Sequence, residues 1–197
     1  MLTSIGDVMR KAYERGWITT RDGNISLKRK TGNTLYITPS GWRKTIIEPE
    51  HITKVKIEEG GLKIPSSMNP SGELHMHYLI QKDSKVTRSV VHLHPTATIA
   101  AMYRGFDLQK ICSNFPELYR YTRIGPSVPI LPVTSVILGE ETAKNLGVDS
   151  DGNLKYDIVG QMGHGVTAVA NSPWAAFEHI ERLEHICQIV LLSGVNP

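Results

Sequence analysis

Apolar residues recur at helical spacing at the start of the chain. Ile5, Val8, Met9 and Ala12 fall on one face of residues 3–14, with Thr3 or Ser4 placed as a cap, so an amphipathic helix is expected there. The pattern then shortens to strands. Residues 24–28 and 35–38 read as a pair joined by the polar turn Thr31-Gly32-Asn33, and residues 52–57 and 61–64 as a second pair around Glu59-Gly60. Gly41-Trp42-Arg43-Lys44 reads as a loop. A helix is expected over 72–81, beginning at Ser71, then an apolar strand over 89–93 and a helix over 96–103. Residues 113–126 carry no clear period. Pro129 and Pro132 make 128–131 a short or edge strand. Residues 140–146 read as a helix stopped by Gly147. Strands over 157–162 and 166–170 are expected to pair across Gly163-His164-Gly165. The longest helix is expected over 172–192, with Ser172 as N-cap and Pro173 at the first helical position, where proline is favoured. Together these elements predict a mixed α/β or α+β domain with helices packed on a sheet.

Length and composition narrow the class. A chain of 197 residues is expected to form one domain over 1–197. A compact chain of that size buries roughly 70% of its unfolded surface and needs no staples. The hydrophobic fraction of 40% and charged fraction of 21% exclude disorder, coiled coil and collagen. Lys plus Arg number 22 against 19 Asp plus Glu, a net charge of +3. The basic residues are scattered, with only short clusters such as Lys28-Arg29-Lys30. A nucleic-acid binder would show a denser stripe, so nucleic acid is not an expected partner, whereas a small anionic substrate fits. Cys112 and Cys187 lie far apart, and no disulfide framework is expected. No stretch approaches the roughly 18 apolar residues of a membrane span, and the first residues lack an apolar leader. A cytoplasmic location without membrane partners is expected.

Four short segments carry candidate chemistry. In Val90-Val91-His92-Leu93-His94-Pro95 a strand would project His92 and His94 to the same face, a natural half of a metal site. Gly163-His164-Gly165 places a third imidazole on a tight, unobstructed turn. Three protein ligands with one open position is the catalytic form of a zinc site. Pro70-Ser71-Gly72-Glu73 puts a carboxylate at a helix start, where negative charge is favoured, and it reads either as a capping group or as a general base beside the metal. Asp22-Gly23-Asn24 and Thr38-Pro39-Ser40-Gly41 are small polar loops of the kind that cradle phosphate, and Arg43 and Lys44 would add positive potential there. His75 and His77 do not share a helix face and are read as packing or surface residues. His51, His179 and His185 are assigned no role.

Taken in order, Asp22-Gly23-Asn24-Ile25-Ser26, Ile37-Thr38-Pro39-Ser40-Gly41, Pro70-Ser71-Gly72-Glu73, Val91-His92-Leu93-His94 and Gly163-His164-Gly165-Val166 resemble the class II aldolase/adducin family over nearly the whole chain. The resemblance implies a single three-layer α/β/α domain with a mixed, largely antiparallel central sheet, commonly assembled as a homotetramer. It implies Zn²⁺, or another divalent transition metal, held by His92, His94 and His164, with Glu73 as the acid/base carboxylate. Asn24, Ser40, Gly41, Ser71 and Gly72 match positions that bind substrate phosphate, and Tyr119 and Tyr121 lie near the place of a second proton-transferring tyrosine. The implied activity is a lyase of the aldolase type, which cleaves a C–C bond of a small phosphorylated sugar or hydroxy-ketone through a metal-stabilised enediolate. A decarboxylase or a dehydratase acting on a thio-sugar phosphate would use related chemistry. A non-catalytic adducin-like interaction module is the alternative outside enzymology.

Overall fold

The computed structural model describes residues 1–196. Seven strands form one sheet in the order β4-β3-β2-β1-β5-β7-β6. They are β1 (Asn24–Lys28), β2 (Thr34–Ile37), β3 (Thr53–Glu58), β4 (Gly61–Lys63), β5 (Arg88–Leu93), β6 (Ile158–Gln161) and β7 (Gly165–Ala170). Every strand pair is antiparallel. Parallel pairing enters through isolated bridges, Ile124 with Ile158 and Val128 with Gln161. The expected strand over 128–131 is therefore reduced to a bridge at Val128, because the prolines that follow cannot sustain a ladder.

Helices cover both faces. On one side lie α1 (Thr3–Glu14), α3 (Thr96–Tyr103), α4 (Leu108–Ser113), α5 (Pro116–Tyr121) and α7 (Pro173–Ser193), joined in the larger core by Ile25, Leu27, Val91, Leu93, Val166 and Ala168 from the sheet. On the other side lie α2 (Leu74–Gln81) and α6 (Val136–Asn145), over Val90, Val159 and Val169. This is the expected three-layer α/β/α arrangement. Burial of a large side chain such as Phe177, Ile25 or Leu27 contributes about 1.5–3 kcal/mol each.

The ends of the helices refine the sequence reading. In α7, Ser172 accepts a hydrogen bond from the Ala175 N–H and Pro173 takes the first helical position, as expected. In α1 the residue before the helix is Leu2, and neither Thr3 nor Ser4 caps it. The second helix starts at Leu74 with Glu73 preceding it, because Ser71 and Gly72 remain in the loop joined to Thr38. α6 begins four residues earlier than the expected 140, since the Ser135 hydroxyl accepts from the Leu138 N–H and caps it there. Short α5 occupies part of the stretch without a clear period, and α4 ends at its first residue, Ser113.

The first strand, β1, positions the site. All five of its residues are buried. Ile25 and Leu27 face the large core, so Asn24, Ser26 and Lys28 face α2. A polar strand face that would ordinarily meet water is roofed by a helix.

Candidate functional site

The site sits where the ends of β1, β5 and β7 meet the start of α2. β5 pairs His92 with Asn24 of β1 on one side and with Thr167 of β7 on the other. His94 lies just beyond the strand, held by its N–H to the Trp17 carbonyl at 2.9 Å. The start of α3 follows at once and is tied across the fold by buried Glu184, whose carboxylate accepts from the Ala97 and Thr98 N–H groups at 2.9 and 2.7 Å. His164 hangs from the turn between β6 and β7. Gly163 takes φ +69° to make that turn, and a Cβ at Gly165 would lie 2.7 Å from His94 Cδ2. Glycine is needed at both places, once for its backbone angle and once for the close approach of the turn to the imidazoles.

The three histidines converge. Their candidate ligand atoms lie within 4.8 Å of one another, and Nε2 of His92 is 3.0 Å from Nε2 of His94. Nδ1 of His92 is 3.2 Å from the Thr167 hydroxyl. With that nitrogen as the N–H donor, the Nε2 lone pair points to the shared centre, the outer-shell arrangement that orients metal-ligating imidazoles. Burial is the main cause that holds the His92 ring far below the usual imidazole pKa, reinforced by the neighbouring histidines, and it lowers His94 too. Neutral imidazoles are the form that ligates metal.

Glu73 completes the cluster. Its Oε2 accepts from the Asn24 side-chain N–H at 2.9 Å and lies 3.4 Å from His92 Nε2, while Oε1 lies 3.7 Å from His164 Nε2. Oε1 is buried without a hydrogen-bond partner. Three inward-facing imidazole nitrogens beside an orphaned carboxylate oxygen are a donor set suited to a divalent transition metal with one position left for a ligand.

A cavity of about 460 Å³ opens from this cluster. Asn24, Ser40, Gly41, Ser71, Gly72, Glu73, His92, His94 and His164 all line it, so the three histidines, the carboxylate and the expected phosphate-binding residues reach one space. The two polar loops are stitched together by Ser40 N–H to Asn69 O at 2.9 Å and Ser71 N–H to Thr38 O at 3.1 Å. Lys44 also lines the cavity and is buried. Its ammonium donates to the Pro39 carbonyl at 3.3 Å, and burial lowers its pKa to about 8. Arg43 is exposed and outside the cavity wall.

Sequence reasoning missed some participants. Arg21, Val133 and Thr134 line the cavity. Thr134 holds φ 60°, the left-handed region that a β-branched residue adopts at a cost of about 1–3 kcal/mol. His77 proves to be fully buried and hydrogen-bonded to Asn24 and Ser26, although nothing in its spacing signals those partners. Tyr119 and Tyr121 are exposed on α5, away from the cavity lining.

Comparison with known proteins follows the same lines. The profile of the Class II Aldolase and Adducin N-terminal domain matches residues 3–191. The chain is 27% identical over 188 residues to the 3-oxo-tetronate 4-phosphate decarboxylase of Escherichia coli, covering 94% of this chain and 83% of that protein. It is 26% identical over 202 residues to the methylthioribulose-1-phosphate dehydratase of Sorangium cellulosum, covering 95% and 90%. The crystal structure of the L-fuculose-1-phosphate aldolase of Thermus thermophilus superposes with a TM-score of 0.77 at 24% identity, over 96% of this chain and 93% of that one. Among the described residues, no helix is long and apolar enough to cross a membrane.

Proposed function

Because the chain belongs to the class II aldolase and adducin family, whose members include aldolases, a decarboxylase and a dehydratase, we propose that it is a metal-dependent lyase of the aldolase type acting on a small phosphorylated sugar or hydroxy-ketone. The observation that carries this reading is the meeting of His92, His94, His164 and the unpartnered Oε1 of Glu73 at one end of a cavity whose other walls are Ser40, Gly41, Lys44, Ser71 and Gly72. An interaction module has no use for such a cluster. His92, His94 and His164 would hold the ion, with Zn²⁺ the best match to three imidazoles. When bound, such an ion supplies Lewis-acid stabilisation of the negative charge that bond cleavage leaves on the substrate oxygens.

The remaining work falls to the chain. Ser40, Gly41, Ser71 and Gly72, with Asn24 at their edge, receive the phosphate and fix the remote end of the substrate. This orients the reacting atoms before the chemistry begins. Glu73 Oε1 accepts the proton of the hydroxyl on the carbon that becomes the aldehyde. The C–C bond breaks, its electron pair passes to the fragment that carries the carbonyl, and Glu73 returns the proton to that fragment's carbon. The relation to the Escherichia coli decarboxylase favours a second reading, in which carbon dioxide leaves in place of the aldehyde. The family reading also carries a homotetramer, for which exposed Ile130, Val133, Val136 and Ile137 beside the cavity supply apolar surface.

The test is a panel of ketose 1-phosphates and acidic sugar phosphates, given to zinc-loaded protein with product analysis. Release of dihydroxyacetone phosphate or a similar fragment with an aldehyde supports the aldolase. Carbon dioxide release moves the assignment to the decarboxylase. No turnover of any phosphate by metal-loaded protein contradicts a lyase.

Lys44 gives the phosphate subsite its own signature. A phosphate monoester becomes a dianion above a pKa of about 6. The Lys44 ammonium loses its proton as pH rises through about 8 in the free protein. The KM for a sugar phosphate is therefore expected to be lowest between these values and to rise above the upper one. Lys44→Met is expected to weaken phosphate binding by about 1.5–3 kcal/mol, the worth of a hydrogen bond to a charged group, and to abolish the rise. Calorimetric titration with inorganic phosphate across pH checks both. Equal affinity in the two proteins removes Lys44 from the subsite.

A further inference from the structure

Beneath the carboxylate of Glu73 runs a buried hydrogen-bonded chain of which the proposed chemistry uses only Asn24. Asn24 donates from Nδ2 to Glu73 Oε2 at 2.9 Å. Its Oδ1 meets His77 Nε2, and His77 Nδ1 meets the Ser26 hydroxyl at 2.6 Å. Gln81 Nε2 donates in turn to Ser26 Oγ and lies 3.3 Å from the His77 carbonyl. His77 and Gln81 sit one turn apart on α2, and Asn24 and Ser26 share the polar face of β1. Ser26, His77 and Gln81 are fully buried, and Asn24 nearly so.

The chain has only one consistent sense. A carboxylate oxygen accepts and does not donate. The Asn24 amide must therefore turn its N–H₂ to Glu73 and its carbonyl to His77. His77 must then donate from Nε2. A neutral imidazole has one N–H, so Nδ1 must accept, and the Ser26 hydroxyl supplies that proton. Ser26 Oγ is left to accept from Gln81. The reverse orientation would press Asn24 Oδ1 against Glu73 Oε2 at 2.9 Å, two acceptors with no proton between them. Burial drives the His77 pKa down to about 3, which keeps the ring neutral.

We propose that His77 is a positioning residue: it donates from Nε2 to Asn24 and thereby locks the Asn24 amide with its N–H₂ on Glu73, leaving Oε1 as the free oxygen aimed at the histidine cluster. Without that donor the buried Asn24 carbonyl has no partner, and the side chain is free to turn toward one at the expense of its N–H₂ contact with Glu73. The role rests on the reading of Glu73 as the acid/base group, while the hydrogen-bond chain stands on its geometry and on the neutrality of the buried ring.

The test therefore has a spectroscopic arm and a kinetic arm. In the full-length zinc-loaded protein labelled with ¹⁵N-histidine, His77 is expected as the neutral Nε2–H tautomer throughout about pH 5 to 8, the range in which an ordinary imidazole titrates. An Nδ1–H tautomer, or a charged ring in that window, overturns the proposal whatever the substrate is. For the kinetic arm, His77→Leu is expected to keep its metal and lower kcat about 10- to 100-fold, the usual cost of removing an outer-shell partner, with KM for the sugar phosphate little changed. His77→Gln, whose amide N–H can reach the same acceptor, is expected to restore most of the rate. An unchanged kcat in His77→Leu, or a loss that lies wholly in KM, overturns the proposal. If His77→Leu fails to fold, the tautomer and the glutamine variant decide. The Nε2–H tautomer without turnover of any sugar phosphate contradicts the lyase reading and leaves the positioning of Asn24 standing.

Discussion

His164→Ala is expected to fold normally, to lose its metal and to lose turnover with it. The expectation follows from where each histidine sits. His92 is 1% exposed and hydrogen-bonded to Thr167, so its removal would also disturb the sheet. His164 hangs from a turn with its side chain 17% exposed, and truncation there opens solvent space in place of a core void. The remaining pair, His92 and His94, offers two nitrogens where a tight site needs three protein ligands. Loss of Lewis-acid stabilisation worth several kcal/mol corresponds to a rate loss of about a thousandfold or more. Elemental analysis of purified variant and wild type, with thermal unfolding as a control, checks the prediction. Near-stoichiometric metal in His164→Ala would remove this residue from the site.

Glu73→Gln is the complementary experiment. The amide has nearly the same shape, and its oxygen can still accept from Asn24, so the buried chain through His77 keeps its sense. What is lost is the ability of Oε1 to take up and return a proton. Metal content is expected to remain near that of the wild type, while kcat falls about 10²- to 10⁴-fold, the range for removal of a general acid or base. The two variants thus separate metal binding from proton transfer. Unchanged turnover in Glu73→Gln would assign the proton to another group.

Much of this was legible in the sequence because the relevant signals are local. The alternation of β5, carried one residue past its end, places His92 and His94 together, the glycines around His164 announce a turn, and Ser172-Pro173 marks the start of α7. The other features depend on partners distant in the chain. His77 meets Asn24 across 53 residues, and no periodicity encodes that contact. The polar residues of β1 follow a pattern that usually means a solvated face, yet α2 covers them. The start of α6 was missed because Val136 and Ile137 are exposed apolar residues that blur the helical period. Thr134 has a backbone angle that composition would assign to glycine, and only its place between the cavity and Gly72 identifies it as part of the site.

The three histidines are expected to hold a metal that the chemistry requires. Metal-free protein titrated with zinc, with bound metal and lyase activity toward the phosphate panel read on the same samples, tests this most directly. The predicted result is one metal per chain, with activity rising in step and a plateau at equivalence. Full activity in the metal-free protein, or zinc bound equally well by a protein lacking His92, His94 and His164, would contradict it.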